Sequence, residues 1–213
     1  MYRLYTCRAT AGFAPQMVLE EARLPHEIVE VDILTGAQRS PEFLRINPAG
    51  RVPALRLPDG QILTEASAIC LYLADAHDLT DVAPAADDPD RALFLRSLIF
   101  LATSVQDHFK RYFYPQRYTT DPIGIPGIRT RGLEMVDEAF ATVEAQLAGG
   151  GPYHLGPRSS AADLYLLMIT TWHPAQDELY DRFPAIAHCC GLVAERPVIR
   201  DALSRQGEVR AAG

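Results

Sequence analysis

Cys7-Arg8-Ala9-Thr10 is the first stretch whose residue types and spacing suit chemistry. A thiol with a hydroxyl three places on has the spacing of a single-cysteine redox motif. The adjacent arginine, and the positive end of a helix beginning just beyond, both favour a thiolate. A second candidate is Thr64 to Ser67, where a helix begins and its free amides make a ready site for a carboxylate. A third helix start, Ser160-Ala161-Ala162-Asp163, reads as a capping box. Its serine accepts from the amide three residues on, and its aspartate reaches back to the serine's own amide. The remaining cysteines, Cys70, Cys189 and Cys190, make neither a disulfide framework nor a zinc-type C-x-x-C pair. Cys189 and Cys190 are adjacent on a predicted helix and point in different directions, so no disulfide joins them.

These groups need elements to hold them, and the hydrophobic pattern supplies the elements in a clear order. Residues 2–6 alternate as a short strand, and a small-residue loop runs from Arg8 to Gly12. The spacing predicts a helix from about Ala14 to Arg23, stopped by Pro25, and a strand from His26 to Ile33. Ser40-Pro41-Glu42 starts a helix that ends at Asn47-Pro48. Val52–Leu57 and Gln61–Leu63, joined by Pro58-Asp59-Gly60, form a hairpin. Thr64 is expected to cap the next helix, which carries Ala66, Ile69, Tyr72 and Leu73. The first 78 residues thus read βαβαββα and form an α/β domain.

Composition shifts at residues 79–89 to Ala, Pro and Asp, as in an interdomain linker. From residue 90 to 213 the pattern is all-helical. A long helix is predicted from Arg91 to about Phe113, with Leu95, Leu98, Ala102, Val105 and Phe109 on one side. Thr119 to Gly127 is a loop, and a helix through Met135 to Leu147 stops at three glycines. Phe183–Glu195 and Pro197–Leu203 close the chain as two short helices. The composition is globular, 48% hydrophobic and 22% charged, and the net charge of −7 leaves no basic face for nucleic acid. No run approaches about 20 apolar residues, and the N-terminus does not resemble a signal peptide. A cytoplasmic setting without membrane partners is expected.

In this order and spacing, several segments resemble the glutathione transferase superfamily across nearly the whole chain. They are Leu19-Glu20-Glu21-Ala22, Asn47-Pro48-Ala49-Gly50-Arg51-Val52-Pro53-Ala54-Leu55, and Thr64-Glu65-Ala66-Ser67-Ala68-Ile69 with Tyr72-Leu73. Tyr153-His154-Leu155-Gly156, Ser160 to Leu164, Phe183-Pro184 and Arg196-Pro197 continue the match. The likeness is to the bacterial branch, nearest the beta-type and serine-type cytosolic enzymes. It implies a thioredoxin-like N-terminal domain, a helical C-terminal domain, a two-fold homodimer, glutathione as co-substrate and no metal.

The resemblance also assigns residues. Val52-Pro53 matches the superfamily's cis-proline turn, whose exposed Val52 N–H and C=O pair with the tripeptide as an added strand does. Glu65 matches the acidic position that holds the γ-glutamyl ammonium; the neighbouring hydroxyl position is Ala66, with Ser67 one place later. The amides of Ala66 and Ser67 remain as donors, and Arg51 is a candidate for a glutathione carboxylate. The cysteine of beta-type enzymes falls on Ala11, and their second-domain histidine falls near Gln106, with His108 two places on. The chain departs from that pattern at both places. Thr10 lies within a position of the serine-type hydroxyl and is the first candidate to activate the thiol, with Tyr5 and Cys7 as alternatives. Phe109, Tyr112 and Phe113 are expected to wall the electrophile pocket.

The expected function is conjugation of glutathione thiolate to a small electrophile in detoxification. Two alternatives stay open: a glutathione-dependent thiol-disulfide reductase using Cys7, and a glutathione-binding protein without chemistry. Isomerisation of a maleyl-type substrate is a narrower variant.

Overall fold

A computed structural model describes residues 1–207. The N-terminal part is a four-stranded mixed sheet of order β2-β1-β3-β4, with β1 at Tyr2–Thr6, β2 at His26–Glu30, β3 at Ala54–Arg56 and β4 at Ile62–Thr64. β1 and β2 are parallel, as the intervening helix α1 (Phe13–Glu21) requires. β3 lies antiparallel to both β1 and β4.

Alternation along β1 decides what packs where. Tyr2 and Leu4 join the main core with α1 and α3 (Ala66–Ala76), while Tyr5 joins Val31, Ala54 and Phe43 of the short helix α2 (Pro41–Leu44) on the other face. Ser40 caps α2, accepting from Phe43 N–H at 3.2 Å. β2 ends earlier than its pattern suggests, because beyond Glu30 only Val31 still bonds towards β1, through Thr6 C=O.

Among the described residues the thioredoxin-like part is followed by seven α-helices: α4 (Arg91–Phe100), α5 (Gln106–Phe113), α6 (Ile125–Gly150), α7 (Ala161–Thr170), α8 (Gln176–Arg182), α9 (Pro184–Ala194) and α10 (Pro197–Ser204). The long helix read from Arg91 to Phe113 is continuous in path but passes through a π-helical turn at Leu101–Val105. α8 escaped the sequence pattern because its seven residues are polar apart from Leu179 and Tyr180. Gly132 lets α5 and α6 approach closely; a Cβ there would lie 2.8 Å from Arg111 Cβ and 2.9 Å from the Tyr112 nitrogen.

α7 is buried along its whole length and packs against α1, α4 and α9, joining the two halves. Its capping box is complete. Asp163 accepts from Ser160 N–H at 2.7 Å, Ser160 Oγ is held on the Asp163 backbone three residues on, and it also accepts from Ala162 N–H at 3.3 Å. The same carboxylate accepts from His154 N–H at 2.9 Å and lies 2.8 Å from His154 Nδ1. Between α3 and α4, Val82 C=O accepts from Ala161 N–H at 2.7 Å, and Arg91 pairs with Asp75 at 3.0 Å. All four cysteines are unpaired. No helix among the described residues is long and apolar enough to cross a membrane.

Candidate functional site

The strand register brings three segments to one end of the sheet. Tyr5 lies opposite Ala54, and Ala54 opposite Thr64. The loop leaving β1, the turn entering β3 and the residue leaving β4 therefore emerge side by side. Two strand spacings separate the outer pair, about 9.5 Å, close to the length of three extended residues.

The middle segment is Arg51-Val52-Pro53. The Val52–Pro53 peptide bond is cis, and neither Val52 N–H nor Val52 C=O bonds to any described residue. Buried Asn47 braces the approach. Its Nδ2 donates to Arg51 C=O at 2.7 Å, and its Oδ1 accepts from Ala49 N–H at 3.1 Å. Asn47 lies in the Asn47–Leu55 segment that carries the resemblance, yet nothing in the sequence shows that it braces the turn. Arg51 is exposed and makes no ion pair among the described residues.

Glu65 follows β4 and occupies the cap position of α3 at φ 66°, ψ 112°. Thr64, expected as the cap, is instead the last strand residue, and Glu65 makes no side-chain cap bond. Ile69 N–H is the first to bond within the helix, to Glu65 C=O. The amides of Ala66 and Ser67 are thus left without partners among the described residues, as at any helix start. Ser67 is half-buried and Ala66 buried.

The third segment is the loop from Cys7 to Gly12. Thr10 Oγ1 donates to Cys7 C=O at 2.6 Å and lies 3.4 Å from Thr6 Oγ1. Cys7 is half-buried and free. Arg8 turns towards Glu30, at 3.7 Å, so its charge is shared with a carboxylate. Gly12 is wedged between Thr6 and Pro53; a Cβ there would meet Thr6 Oγ1 at 1.9 Å and Pro53 Cβ at 3.3 Å. The absence of a side chain at Gly12 is what lets this loop and the proline turn touch. The first amides of α1 are largely committed, Phe13 N–H to Thr10 C=O and Ala14 N–H to Met168 Sδ of α7 at 3.3 Å. Tyr5 stands apart from this loop. It is 9% exposed and packs edge-on against Phe43 on the opposite face of the sheet.

From the helical half, Gln106 follows the π-turn and accepts a short hydrogen bond from the Tyr165 hydroxyl of α7. Burial, with added repulsion from Cys70 and Glu65, pushes the Tyr165 phenol well above its ordinary range, so it remains a neutral donor. His108 faces away, among Asp107, Arg111, Arg131 and Glu138, and burial lowers its pKa. Burial also raises the Cys70 thiol, which leaves it inert.

The aromatic trio does not gather as one wall. Phe109 is 1% exposed and enclosed by Phe113, Phe140 and Trp172, so it fills the helical core. Tyr112 lies against Phe113 and under Arg129 of α6. Phe113 keeps partial exposure. No group of three or more His, Cys, Asp or Glu side chains among the described residues is placed to hold a metal ion.

The glutathione S-transferase N-terminal domain family matches residues 14–76. Glutathione S-transferase GST-4.5 of Xanthomonas campestris pv. campestris is 31% identical over 170 residues, 80% of this chain and 81% of that protein. Glutathione S-transferase GstA of Escherichia coli O157:H7 is 27% identical across 96% of this chain and 98% of its own. A glutathione transferase homologue from Sulfitobacter, solved with bound glutathione, superposes with a TM-score of 0.87 at 30% identity. That match covers 98% of this chain and 99% of the other. With relatives 30% and 31% identical over 98% and 80% of its length, the chain belongs to the glutathione S-transferase superfamily.

Proposed function

We propose that this protein is a cytoplasmic, dimeric glutathione transferase that ionises the thiol of bound glutathione and directs its sulfur at a small electrophile, a detoxification chemistry. One observation carries the reading: the unpaired Val52 N–H and C=O lie between the free first-turn amides of α3 and the loop that bears Cys7 and Thr10. Glutathione has matching groups in matching order. Its γ-glutamyl carboxylate suits the amides of Ala66 and Ser67, and its ammonium suits Glu65. Its cysteinyl backbone suits Val52, and its glycyl carboxylate suits Arg51. The sulfur then falls towards the loop leaving β1. Thr10 is assigned to stabilise the thiolate, its hydroxyl turning from Cys7 C=O to the sulfur. The thiolate forms a C–S bond while the electrophile's leaving group departs with its electron pair. The rate gain comes from holding an ionised sulfur close to its target. Phe113 and Tyr112 are assigned to the electrophile side. The exposed face of α3, with Ala68, Leu71 and Tyr72, and Ile99 of α4 are assigned to the dimer contact.

A second reading rests on the Thr10 hydrogen bond. With the hydroxyl proton engaged by Cys7 C=O, the nearest free group in the loop is the Cys7 thiol. As a thiolate it would attack the glutathionyl sulfur of a mixed disulfide between glutathione and a second thiol, take up the glutathionyl group and release that second thiol reduced; a free glutathione thiolate would then restore Cys7 and leave as oxidised glutathione.

The test is an ultraviolet difference titration with glutathione at neutral pH, on the native protein, Thr10→Ala and Cys7→Ser. A thiolate band present in the native protein and in Cys7→Ser, but lost in Thr10→Ala, is the expected result. A band that survives Thr10→Ala moves the role elsewhere in the loop. Binding without a band, with disulfide reduction abolished in Cys7→Ser, establishes the reductase. Absence of glutathione binding overturns both.

A further inference from the structure

The last turn of the described chain reaches back to the loop that bears Cys7 and Thr10. Ala9 N–H donates to Gln206 Oε1 at 2.9 Å, across 197 residues of sequence. Ala9 itself sits at φ 55°, in the left-handed region that a non-glycine residue keeps only when its surroundings hold it there. Gln206 is the one side chain among the described residues that bonds the backbone of residues 8–12. It is anchored in turn. Gln206 Nε2 donates to Gln16 Oε1 at 3.3 Å, buried Gln16 donates to Glu20 Oε1 at 2.8 Å, and Arg205 reaches Glu20 Oε2 at 2.5 Å. A relay therefore runs from the end of α10, along α1, to the middle of the loop.

We propose that Gln206 is a positioning residue for thiol activation, pinning Ala9 from the second half of the molecule and so fixing how Cys7 and Thr10 are presented to the bound thiol. This rests on the loop being the thiol-activating segment. Released, Ala9 relaxes towards negative φ, a rotation of roughly 120° at the residue next to Thr10. That is enough to redirect its hydroxyl. The helical half would then influence the chemistry without contributing a group that touches the sulfur. Neither the sequence of the loop nor that of the closing helix hints at this, since the two lie at opposite ends of the chain.

Two variants test it. Gln206→Ala removes the acceptor for Ala9, and Gln206→Glu restores an acceptor at the same reach. Each is titrated with glutathione across pH to give the dissociation constant and the pKa of the bound thiol from its thiolate band. Ala9 amide hydrogen exchange is followed in the unliganded protein. Expected for Gln206→Ala are an Ala9 amide that exchanges at least tenfold faster, a bound-thiol pKa raised by about a unit and glutathione affinity within about threefold of native. Gln206→Glu keeps the acceptor for Ala9 but loses the donor to Gln16, so it should recover part of the Ala9 protection. A bound-thiol pKa unchanged in Gln206→Ala, with native binding and band intact, overturns the proposal. If the native protein shows no thiolate band, the transferase reading fails separately. Ala9 exchange then still decides whether the pin exists, and unchanged exchange in Gln206→Ala overturns it.

Discussion

Glu65 carries two demands at one position, a carboxylate at the head of α3 and a backbone at φ 66°, ψ 112°. Such a conformation costs a non-glycine residue about 1–3 kcal/mol, whereas glycine adopts it freely at an entropic cost of about 0.5–1 kcal/mol. The two variants Glu65→Ala and Glu65→Gly separate the demands. Both lose the carboxylate, so both should bind glutathione roughly tenfold to a hundredfold more weakly, the loss expected for a hydrogen bond to a charged group. Only the glycine variant sheds the strain, and it should be about 1 kcal/mol more stable than the alanine variant in urea unfolding. Equal stabilities would remove the strain argument, and unchanged affinity in Glu65→Ala would remove the residue from the ligand's contacts. Glu65 was legible in the sequence as an acid at a helix start, but its dihedral was not, because no local pattern encodes one residue's φ. Phe109 shows the opposite failure. Its type and spacing suit a pocket wall equally well as a core, and only the packing of Phe140 and Trp172 around it decides.

Among the elements, α7 was the most legible and is the most tightly held. Ser160 and Asp163 announce its start, and its apolar run from Leu164 to Ile169 announces burial on every side. α8 and the π-turn were illegible for physical reasons. A seven-residue polar helix has little periodicity to show, and a π-turn leaves the apolar stripe of α4 and α5 almost unchanged. Asp163 is fully buried, and burial alone would raise its pKa. The hydrogen bonds and charge of His154, together with the His154 and Ser160 amides, outweigh that and hold the carboxyl below its ordinary range. A carboxyl whose folded pKa is depressed stabilises fully above its unfolded value, about 3.9, and loses that contribution as pH falls through the folded value. Native stability should therefore drop below about pH 4 more steeply than that of Asp163→Asn. At neutral pH, Asp163→Ala should cost about 3–5 kcal/mol, because buried donors of His154 and Ser160 lose their acceptor. Urea melts from pH 7 downward give both quantities; parallel acid limbs for native and Asn proteins would show that Asp163 is not the titrating group.

Across the whole molecule, the two halves share one core. A single apolar cluster runs from Tyr2 and Leu4 through Met17 and Leu73 to Phe94, Met168, Ile199 and Ala202. Domains joined by small polar interfaces unfold separately, whereas here removing the helical half would strip one side of α1 and α3. Polar links reinforce the seam. Arg196 and Arg205, on either side of α10, take Glu21 and Glu20 of α1, and Met168 accepts the Ala14 amide. The βαβαββα order and the helical remainder were legible from periodicity, but the seam was not, since it joins residues far apart in sequence. One cooperative transition should follow. Trp172 is the sole tryptophan and lies at the end of α7, so its emission reports the helical half. Cys70 in α3 and the Cys189–Cys190 pair in α9 are buried thiols in opposite halves. Pulsed thiol labelling, resolved by peptide, reads both at each urea concentration. The labelling midpoints at Cys70 and at Cys189–Cys190 should coincide with the Trp172 midpoint, and all three should move together with protein concentration if the unfolding unit is a dimer. A Cys70 midpoint separated from the other two would mean that the thioredoxin-like half stands without its partner. The coupling through Gln206 would then have to act across a seam that opens, rather than through a single folded unit.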